Sequence, residues 1–267
     1  IFDELDEILK KNLKSLIFSS KNEELSKTQN AQPAIMTTSI AILSALRHEK
    51  LISENSFSCV AGHSLGEYSA LVANSSIKFT DAVKLLKVRS KAMQDSMPIG
   101  TGGMVAIIGC GHKEVEILVS EVSQIGKIYV ANDNANGQIV LSGQTSAIEY
   151  VLENSKQLNI KRAIKIPVSA PFHCKLMNSA SNIMSLEIDK YTFKPFDVPL
   201  YSNVTAKICS HVEISQLLVD QIISKVKWRE TIENMISAGV QNFIEVGPSN
   251  VLTNVVKRTS KDVKAIQ

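Results

Sequence analysis

The stretch 57–73, FSCVAGHSLGEYSALVA, constrains the fold of this chain more than any other. Residues 57–61 form a short, mostly apolar run that suits a buried strand. Residues 62–66 fit the G-x-S-x-G pattern, and residues 65–73 favour a helix with Glu67 in its first turn, where a negative charge suits the helix dipole. Strand, tight turn and helix are the context of a nucleophile elbow, whereas the bare pattern also arises by chance in ordinary turns.

The two glycines of that pattern indicate how a serine between them can be exposed. Without a Cβ at Gly62 and Gly66, the backbone can turn sharply and the side chain of Ser64 can stand clear of its neighbours. The backbone N–H of Leu65 would then point at a reacting carbonyl from a helix N-terminus, as one donor of an oxyanion hole. The stretch therefore predicts Ser64 as a nucleophile.

A second helix, predicted from about residue 80, carries an arginine on its apolar face. The apolar positions 82, 85, 86, 92, 93 and 97 follow helical spacing, and Arg89 falls on the same face. A buried guanidinium must be paired, because burying an unpaired charge costs several kcal/mol. The partner is either a carboxylate of the protein, with snorkelling as a further alternative, or a substrate carboxylate that the guanidinium grips bidentately.

The N-terminal region predicts helices separated by a polar loop. Residues 2–20 have the pattern of a broken amphipathic helix. Residues 21–32, KNEELSKTQNAQ, are polar and loop-like. Pro33 suits the first position of the next helix, since that position needs no backbone N–H.

The strongest boundary signal is the proline and glycine cluster at residues 98–103. Residues 104–168 then predict the order β-α-β-β-α-β, which is that of a ferredoxin-like unit. The larger pattern resumes afterwards. We therefore predict an α/β fold in which a subdomain of residues 100–168 is inserted into a large subdomain formed by residues 1–99 and 169–267.

A histidine follows the last strand of the predicted insertion. Pro171 stops that strand and leaves His173 on a loop before a helix. A lone histidine is commonly structural, but strand-end loops are where α/β enzymes place their chemistry, and a base that follows a serine nucleophile in sequence has precedent. The adjacent Cys174 is not predicted as a nucleophile, because consecutive side chains point apart and nothing in the sequence favours a thiolate.

Composition excludes several classes of function. Lys and Arg total 29 against 26 Asp and Glu, so the net charge of +3 does not indicate nucleic-acid binding. No apolar run approaches the ~20 residues of a membrane span, and the acidic start of the sequence is unlike a signal peptide. The 4 cysteines lack C-x-x-C spacing, which favours free thiols in the reducing cytoplasm. The 5 histidines lack metal-ligand spacing, so no metal is expected.

Four motifs, in this order, carry a family resemblance: GHSLGEYSA at 62–70, VRSKAMQ at 88–94, PVSAPFHCKLM at 167–177 and EVGP at 245–248. With them, the chain resembles the malonyl-CoA:acyl-carrier-protein transacylases of type II fatty acid synthesis from about Ala31 to Arg258. The resemblance implies a large α/β-hydrolase-like subdomain that carries a small ferredoxin-like one. That agrees with the insertion predicted from the alternation of elements.

The resemblance also implies roles for individual residues. Ser64 is similar to the acylated nucleophile of the family, and His173 to its base. Arg89 corresponds to the clamp on the malonate carboxylate, and the N–H of Leu65 to an oxyanion donor. Gln221 corresponds to the residue whose backbone carbonyl orients the histidine, which makes a Ser-His dyad without the aspartate of a triad.

Three further residues are expected near the pocket: His63, Phe172 and Asn134. Phe172, beside the histidine, is similar to family members that prefer malonyl over bulkier methylmalonyl groups. His63 either lines the pocket mouth or packs beside the elbow. Asn134 lies in the turn-rich loop of the predicted insertion.

The family opens with a strand and a Gly-Gln-Gly-Ser-Gln segment whose glutamine supplies a second oxyanion donor. The sequence begins at Ile1, without an initiator Met, and beyond that segment. Either the sequence given is truncated, or the molecule itself lacks the segment. A molecule that truly lacked the donor is expected to lose roughly 10²–10³-fold in rate.

The function implied is a ping-pong transfer of malonyl from malonyl-CoA to the phosphopantetheine thiol of acyl carrier protein, through an ester on Ser64. No metal or cofactor, nucleic acid or membrane is expected, and we expect a cytoplasmic monomer, although the sequence does not fix the oligomeric state. One alternative is a serine esterase or thioesterase that uses the same elbow, with Asp133 as the acid of its triad. Another is a non-catalytic module that binds carrier protein.

Overall fold

The computed structural model describes residues 1–19, 23–53, 56–158, 160–168 and 170–267, and six helices precede the first strand of these residues. The helices of these residues are α1 (Phe2–Leu9), α2 (Leu13–Phe18), α3 (Glu23–Ser26), α4 (Thr28–His48), α5 (Gly66–Ala73), α6 (Phe79–Asp95), α7 (His112–Val122), α8 (Thr145–Glu153), α9 (Asn178–Ile188), α10 (Ile214–Ile223), α11 (Trp228–Ser237) and α12 (Val251–Thr259). The strands are β1 (Gly102–Ile108), β2 (Ile128–Ala135), β3 (Gln138–Gln144), β4 (Arg162–Ile166), β5 (Leu200–Tyr201), β6 (Ile208–Cys209), β7 (Asn242–Ile244) and β8 (Lys264–Ile266). The fold is mixed α/β.

The main sheet is antiparallel and has the strand order β2-β3-β1-β4. Alternate residues of β1 point to opposite faces. Val105 and Ile107 join a core that includes residues of α7 and α8, whereas Met104 packs with Val140 on the other face, against Phe172. Both faces of the sheet are therefore covered, which explains why β1 is apolar almost throughout.

Strand β2 also pairs outside its sheet, and this pairing ties the sheet to the rest of the molecule. Asn132 and Val226 form a parallel bridge. The N–H of Val226 donates to the carbonyl of Ala131 at 2.8 Å, and the N–H of Asp133 donates to the carbonyl of Val226 at 3.0 Å. Shifts of register interrupt the β2–β3 ladder here, so main-chain groups of β2 are free to bond the segment before α11.

A second core lies among α4, α5, α6, α9 and α10. Its fully buried members include Met36, Tyr68, Leu85 and Met184. The helical spacing of the apolar residues in α6 predicted this packing. The core surrounds the buried end of Arg89, which is 1% exposed.

The predicted strand at residues 57–61 pairs at only one residue among those described. Val60 and Leu200 form a parallel bridge, with the N–H of Val60 donating to Pro199 at 2.8 Å and the N–H of Tyr201 donating to Val60 at 3.0 Å. The whole segment lines a cavity. It is extended, but it does not form a second ladder within the described residues.

The N-terminal prediction was wrong in one respect. Residues 23–32 were predicted as loop, yet they belong to α3 and α4 except for residue 27. Pro33 lies inside α4 rather than at its first position. The polar residues Asn30 and Gln32 are buried, so their polarity reflects a polar interior rather than a solvent-exposed loop.

Parts of several predictions lie outside the described residues. They are position 20 of the predicted broken helix, positions 21 and 22 of the predicted loop, positions 54, 55 and 159 within the predicted subdomains, and position 169, the predicted start of the second part of the large subdomain. Among the residues that are described, no helix is both long and apolar enough to cross a membrane.

Candidate active site

Ser64 lies on a sharp turn directly before α5. Its φ is 55°, in the left-handed region that side-chain-bearing residues rarely adopt. A Cβ on Gly62 would lie 1.8 Å from the carbonyl oxygen of Gly66, so only glycine fits at position 62. A Cβ on Gly66 would meet nothing within 4 Å. The expectation that both glycines are sterically required therefore holds at position 62 alone.

Asn203 braces this turn from both sides. Its side-chain Oδ1 accepts the N–H of Ser64 at 2.7 Å, and its Nδ2 donates to the carbonyl of Gly62 at 2.7 Å. Asn203 is fully buried. One amide thus satisfies two main-chain groups that the turn would leave unpaired, which stabilises the strained conformation of Ser64.

Ser64 and His173 are brought together although 109 positions separate them. Ser64 Oγ and His173 Nε2 are 2.7 Å apart, and His173 Nδ1 is 2.8 Å from the backbone carbonyl of Gln221. A carbonyl oxygen can only accept, so Nδ1 carries the proton and Nε2 is free to accept the serine hydroxyl. This is the geometry of a nucleophile beside a general base.

The surroundings of His173 keep its ring neutral. Burial and the positive charge of Arg89 together lower the pKa of His173 to about 3, against the opposing effect of the hydrogen bond that Nδ1–H donates to the carbonyl of Gln221. The ring is 4% exposed. At neutral pH the imidazole is therefore unprotonated and able to accept a proton.

Arg89 reaches the same hydroxyl from within the helical core. Its Nη2 donates to Ser64 Oγ at 3.2 Å and to Gln221 Oε1 at 2.7 Å, and its Nη1 donates to Gln32 Oε1 at 2.5 Å. The guanidinium also lies 5.7 Å from the ring centroid of Tyr68. All these partners are neutral groups.

The charge of Arg89 has no contacting carboxylate among the described residues of the protein. A guanidinium has five N–H donors, and Arg89 makes three side-chain hydrogen bonds, so two donors remain. One is on Nε, which has no partner in the described part of the chain. Among the described residues, the structure therefore contradicts the alternative in which Arg89 pairs with a carboxylate of the protein.

Asp133, the alternative acid of a triad, is engaged elsewhere. Its Oδ2 accepts from Arg229 Nη2 at 2.8 Å and its Oδ1 from Arg229 Nε at 3.1 Å. His173 Nδ1 bonds the carbonyl of Gln221 instead. The structure therefore contains a dyad rather than the triad that the esterase alternative required.

The sequence left open whether His63 lines the pocket or packs beside the elbow, and in the structure it does both. It lines a cavity of about 520 Å³ beside the elbow, and it packs edge-on against Trp228 with ring centroids 5.4 Å apart. His63 Nε2 is 2.8 Å from Asn134 Oδ1, so these two predicted pocket residues meet. The cavity is lined by Leu65 and Asn134 as well. Ser64 and His173 are not part of its lining, but His63 and Leu65 on either side of Ser64 are, so the cavity adjoins the dyad.

Leu65 and Phe172 occupy different positions relative to the dyad. Leu65 directly precedes α5, and its N–H has no backbone or side-chain acceptor among the described residues. Phe172 packs against both the helical core and the sheet core, and its carbonyl accepts the hydroxyl of Ser142 at 2.6 Å. Phe172 thus bridges the helical core and the face of the sheet that carries Met104, and its predicted effect on acyl-group size stays a prediction.

Three residues of the site were missed by sequence reasoning in this role: Gln32, Glu67 and Asn203. Glu67 was noted only for its place in the helix, yet it is 0% exposed beneath the serine. Its Oε1 accepts the N–H of Asn203 at 2.9 Å, and its Oε2 accepts Nε2 of Gln221. Burial raises the pKa of Glu67 to about 7, while these hydrogen bonds and the charge of Arg89 lower it. The one signal available for Glu67 was a charged residue in the first turn of an otherwise apolar helix.

A serine on a strained turn that bonds a neutral histidine, set in an α/β fold, is suited to acyl transfer through a serine ester. The profile of the family described as "Acyl transferase domain" matches residues 2–267. The chain belongs to this acyl transferase family.

The relatives narrow the class. The malonyl CoA-acyl carrier protein transacylase of Bacillus subtilis is 40% identical over 268 residues, which cover 100% of this chain and 83% of that protein. Its counterpart from Escherichia coli K12 is 38% identical over 258 residues, 96% of this chain and 82% of that protein.

Solved structures agree with the relatives. The acyl-carrier-protein-S-malonyltransferase of Bartonella henselae superposes with a TM-score of 0.94 at 42% identity, covering 99% of this chain and 84% of that one. A malonyl-transacylase in complex with a type II polyketide synthase acyl-carrier protein superposes with a TM-score of 0.94 at 35% identity, covering 99% of this chain and 85% of that one.

Proposed function

We propose that this chain transfers a malonyl group from malonyl-CoA to the phosphopantetheine thiol of acyl carrier protein, through a malonyl ester on Ser64. The observation that carries the proposal is one shared atom. Ser64 Oγ lies 2.7 Å from His173 Nε2 and 3.2 Å from Arg89 Nη2. A nucleophile, a base and a free cation therefore meet where a thioester with a carboxylate tail would react.

In the first half-reaction, His173 Nε2 takes the hydroxyl proton of Ser64 as Oγ attacks the thioester carbonyl. The negative charge that develops on the carbonyl oxygen is stabilised by the N–H of Leu65, at the start of α5. The C–S bond then breaks, and the imidazolium returns the proton to the sulfur, so CoA leaves as a thiol. Malonyl stays bound to Ser64 as an ester.

In the second half-reaction, the carrier thiol gives its proton to His173 and its sulfur attacks the ester carbonyl. The Oγ–C bond breaks, and Ser64 takes the proton back. Gln221 holds the imidazole in the required tautomer through its backbone carbonyl, 2.8 Å from Nδ1. No cofactor is needed for this exchange, because one thioester replaces another.

Arg89 is proposed as the clamp on the free carboxylate of the malonyl group. Its two remaining N–H donors suit a carboxylate, which accepts such bonds more strongly than a neutral oxygen does. A bond of this kind contributes about 1.5–3 kcal/mol. That is enough to favour malonyl over acetyl by one to two orders of magnitude.

We also propose the subdomain division for this chain. A large α/β-hydrolase-like subdomain comprises residues 1–99 and 169–267, and a ferredoxin-like subdomain comprises residues 100–168. The strand order β2-β3-β1-β4, with α7 and α8 packed on one face, supports the second part of this proposal. The four cysteines form no disulfide in the structure, which supports a cytoplasmic location, and a monomer is the simplest assembly for the site described.

The proposal is tested by measuring the intact mass of the acyl-enzyme and by following where its acyl group is transferred. Wild-type protein mixed with malonyl-CoA alone is expected to gain one malonyl group by intact mass, and Ser64→Ala none. Adding carrier protein should move the group to the carrier. Rapid release of CoA in water without carrier protein would support the esterase alternative, and no adduct at all would support a non-catalytic module.

A further inference from the structure

Gln221 contributes to the site twice, through its backbone and through its side chain. Its carbonyl holds His173. Its side-chain Oε1 accepts from Arg89 Nη2 at 2.7 Å, while its Nε2 donates to the carbonyl of Ser64 at 3.0 Å and to Glu67 Oε2. The two ends of this amide thus face opposite partners, an arginine on one side and acceptors on the other.

The two ends of an amide are not interchangeable, because one only accepts and the other only donates. The acceptors around Nε2 therefore fix the orientation of the Gln221 amide, and this orientation turns Oε1 toward Arg89. Glu67 is the charged acceptor among them, and it is fully buried. Its other oxygen is occupied by the N–H of Asn203 at 2.9 Å, which fixes the carboxylate in place.

We propose that Glu67 is a positioning residue for malonyl selectivity: by accepting from the side-chain amide of Gln221, it turns the amide oxygen toward Arg89 and holds the guanidinium ready for a substrate carboxylate. Glu67 touches no reacting atom and acts through Gln221. The inference rests on the proposed function, since it assigns a reason for the orientation of the proposed clamp.

Glu67→Gln is the sharpest change, because it keeps the shape of the side chain while it removes the negative charge and replaces one acceptor with a donor. Oε1 of the new glutamine can still accept the N–H of Asn203. Its Nε2 would then face Nε2 of Gln221, and two donors repel each other. If the Gln221 amide rotated to relieve this, its own Nε2 would face Arg89, which is also a donor. Arg89 would then lose the acceptor that orients it.

The experiment measures kcat and KM for malonyl-CoA and for acetyl-CoA at pH 8, where the Glu67 carboxylate is ionised. Glu67→Gln is expected to lower the malonyl-to-acetyl ratio of kcat/KM about tenfold, the size of one charge-assisted hydrogen bond. Acetyl transfer should change much less. Glu149→Gln, at a surface position where the side chain is 52% exposed, is the matched control and should leave the ratio unchanged.

A second variant tests the route of the effect. Gln221→Leu keeps the backbone carbonyl that holds His173 and removes the amide, so it should lower the same ratio. In the Gln221→Leu background, Glu67→Gln should add less than about twofold, because contacting residues that act in series are not additive. Additive losses would overturn the inference, as would equal losses for malonyl and acetyl.

The Gln221→Leu variant also decides the matter if Glu67→Gln does not fold, because an unchanged ratio in it would overturn the inference. The proposed function is judged separately. If the wild-type enzyme forms no malonyl adduct, the function is wrong, whereas a wild-type adduct with unchanged selectivity in the variants refutes only the role of Glu67.

Discussion

Two arginines lie in polar sites inside this molecule, and they differ in what holds them. Arg229 pairs with two carboxylates, Asp133 at 2.8 Å and Glu233 at 2.8 Å. Arg89 is more deeply buried, at 1% exposure, yet it is held by two side-chain amide oxygens and one hydroxyl. The hydrogen bond to Asp133 is the main reason that the pKa of Arg229 is raised, whereas burial lowers the pKa of Arg89.

The difference distinguishes a structural arginine from the arginine that we propose as the carboxylate clamp. Arg229 has its countercharge within the fold and joins α11 to β2. The amide oxygens that contact Arg89 are neutral, which suits the proposed binding of a substrate carboxylate. Burial alone would not have distinguished the two, but the charge of their partners does.

The largest effect should come from breaking the structural pair. Arg229→Ala leaves the carboxylate of Asp133, which is 1% exposed, buried with only His112 Nδ1, at 3.9 Å, as a neighbouring basic group in the described part of the chain. We expect the free energy of unfolding to fall by about 3 kcal/mol, with the malonyl-to-acetyl ratio unchanged. Urea unfolding measures the loss. The double variant with Asp133→Asn should recover most of it, and no recovery would mean that the pair is not the cause.

Arg89→Ala should change the selectivity that Arg229→Ala leaves unchanged. The malonyl-to-acetyl ratio of kcat/KM should fall by about 10–100-fold, because only malonyl has a carboxylate for the guanidinium to bind. Initial rates of acyl-enzyme formation with the two CoA esters give the ratio. Equal losses for both substrates would remove Arg89 as the clamp.

The smallest effect concerns pH and arises from His173. The pKa of this histidine is about 3 in the folded protein against an ordinary 6.5. Below about pH 6.5 the unfolded chain therefore binds a proton that the folded protein does not, so stability falls as the pH drops through this window. The slope is at most about 1.4 kcal/mol per pH unit.

Urea unfolding of the wild type and of His173→Gln between pH 6.5 and 5 isolates this contribution, since the variant lacks the titrating ring. Arg89→Ala should raise the pKa of His173 and shorten the window from its acid end, because the arginine charge is one cause of the low value. Identical slopes in the wild type and His173→Gln would contradict the assignment.

The sequence identified the residues that motifs carry. Ser64, Arg89, His173 and Gln221 were all predicted, and the structure brings them into contact. Ser64, Arg89 and His173 stand in local patterns, whereas Gln221 was assigned only through the resemblance to a family. Periodicity alone placed Arg89 on a buried face, although it left the partner of Arg89 open.

The residues that brace those groups could not be predicted in the same way. Asn203 contacts Ser64 across 139 positions, and Glu67 contacts Gln221 across 154, so neither contact has a local signature. Gln32 was missed because residues 21–32 were interpreted as a solvated loop. A helix that faces a polar site and buries amide side chains has the same amino-acid composition as a polar loop, so composition does not distinguish the two.

The most direct test of the central claim is a crystal structure of the wild-type enzyme acylated by malonyl-CoA in the absence of carrier protein. We predict an ester on Ser64 whose free carboxylate lies about 2.7–2.9 Å from nitrogens of Arg89, with Gln32 and Gln221 still bound to the guanidinium. A malonyl carboxylate directed away from Arg89, with the arginine contacts unchanged, would contradict it.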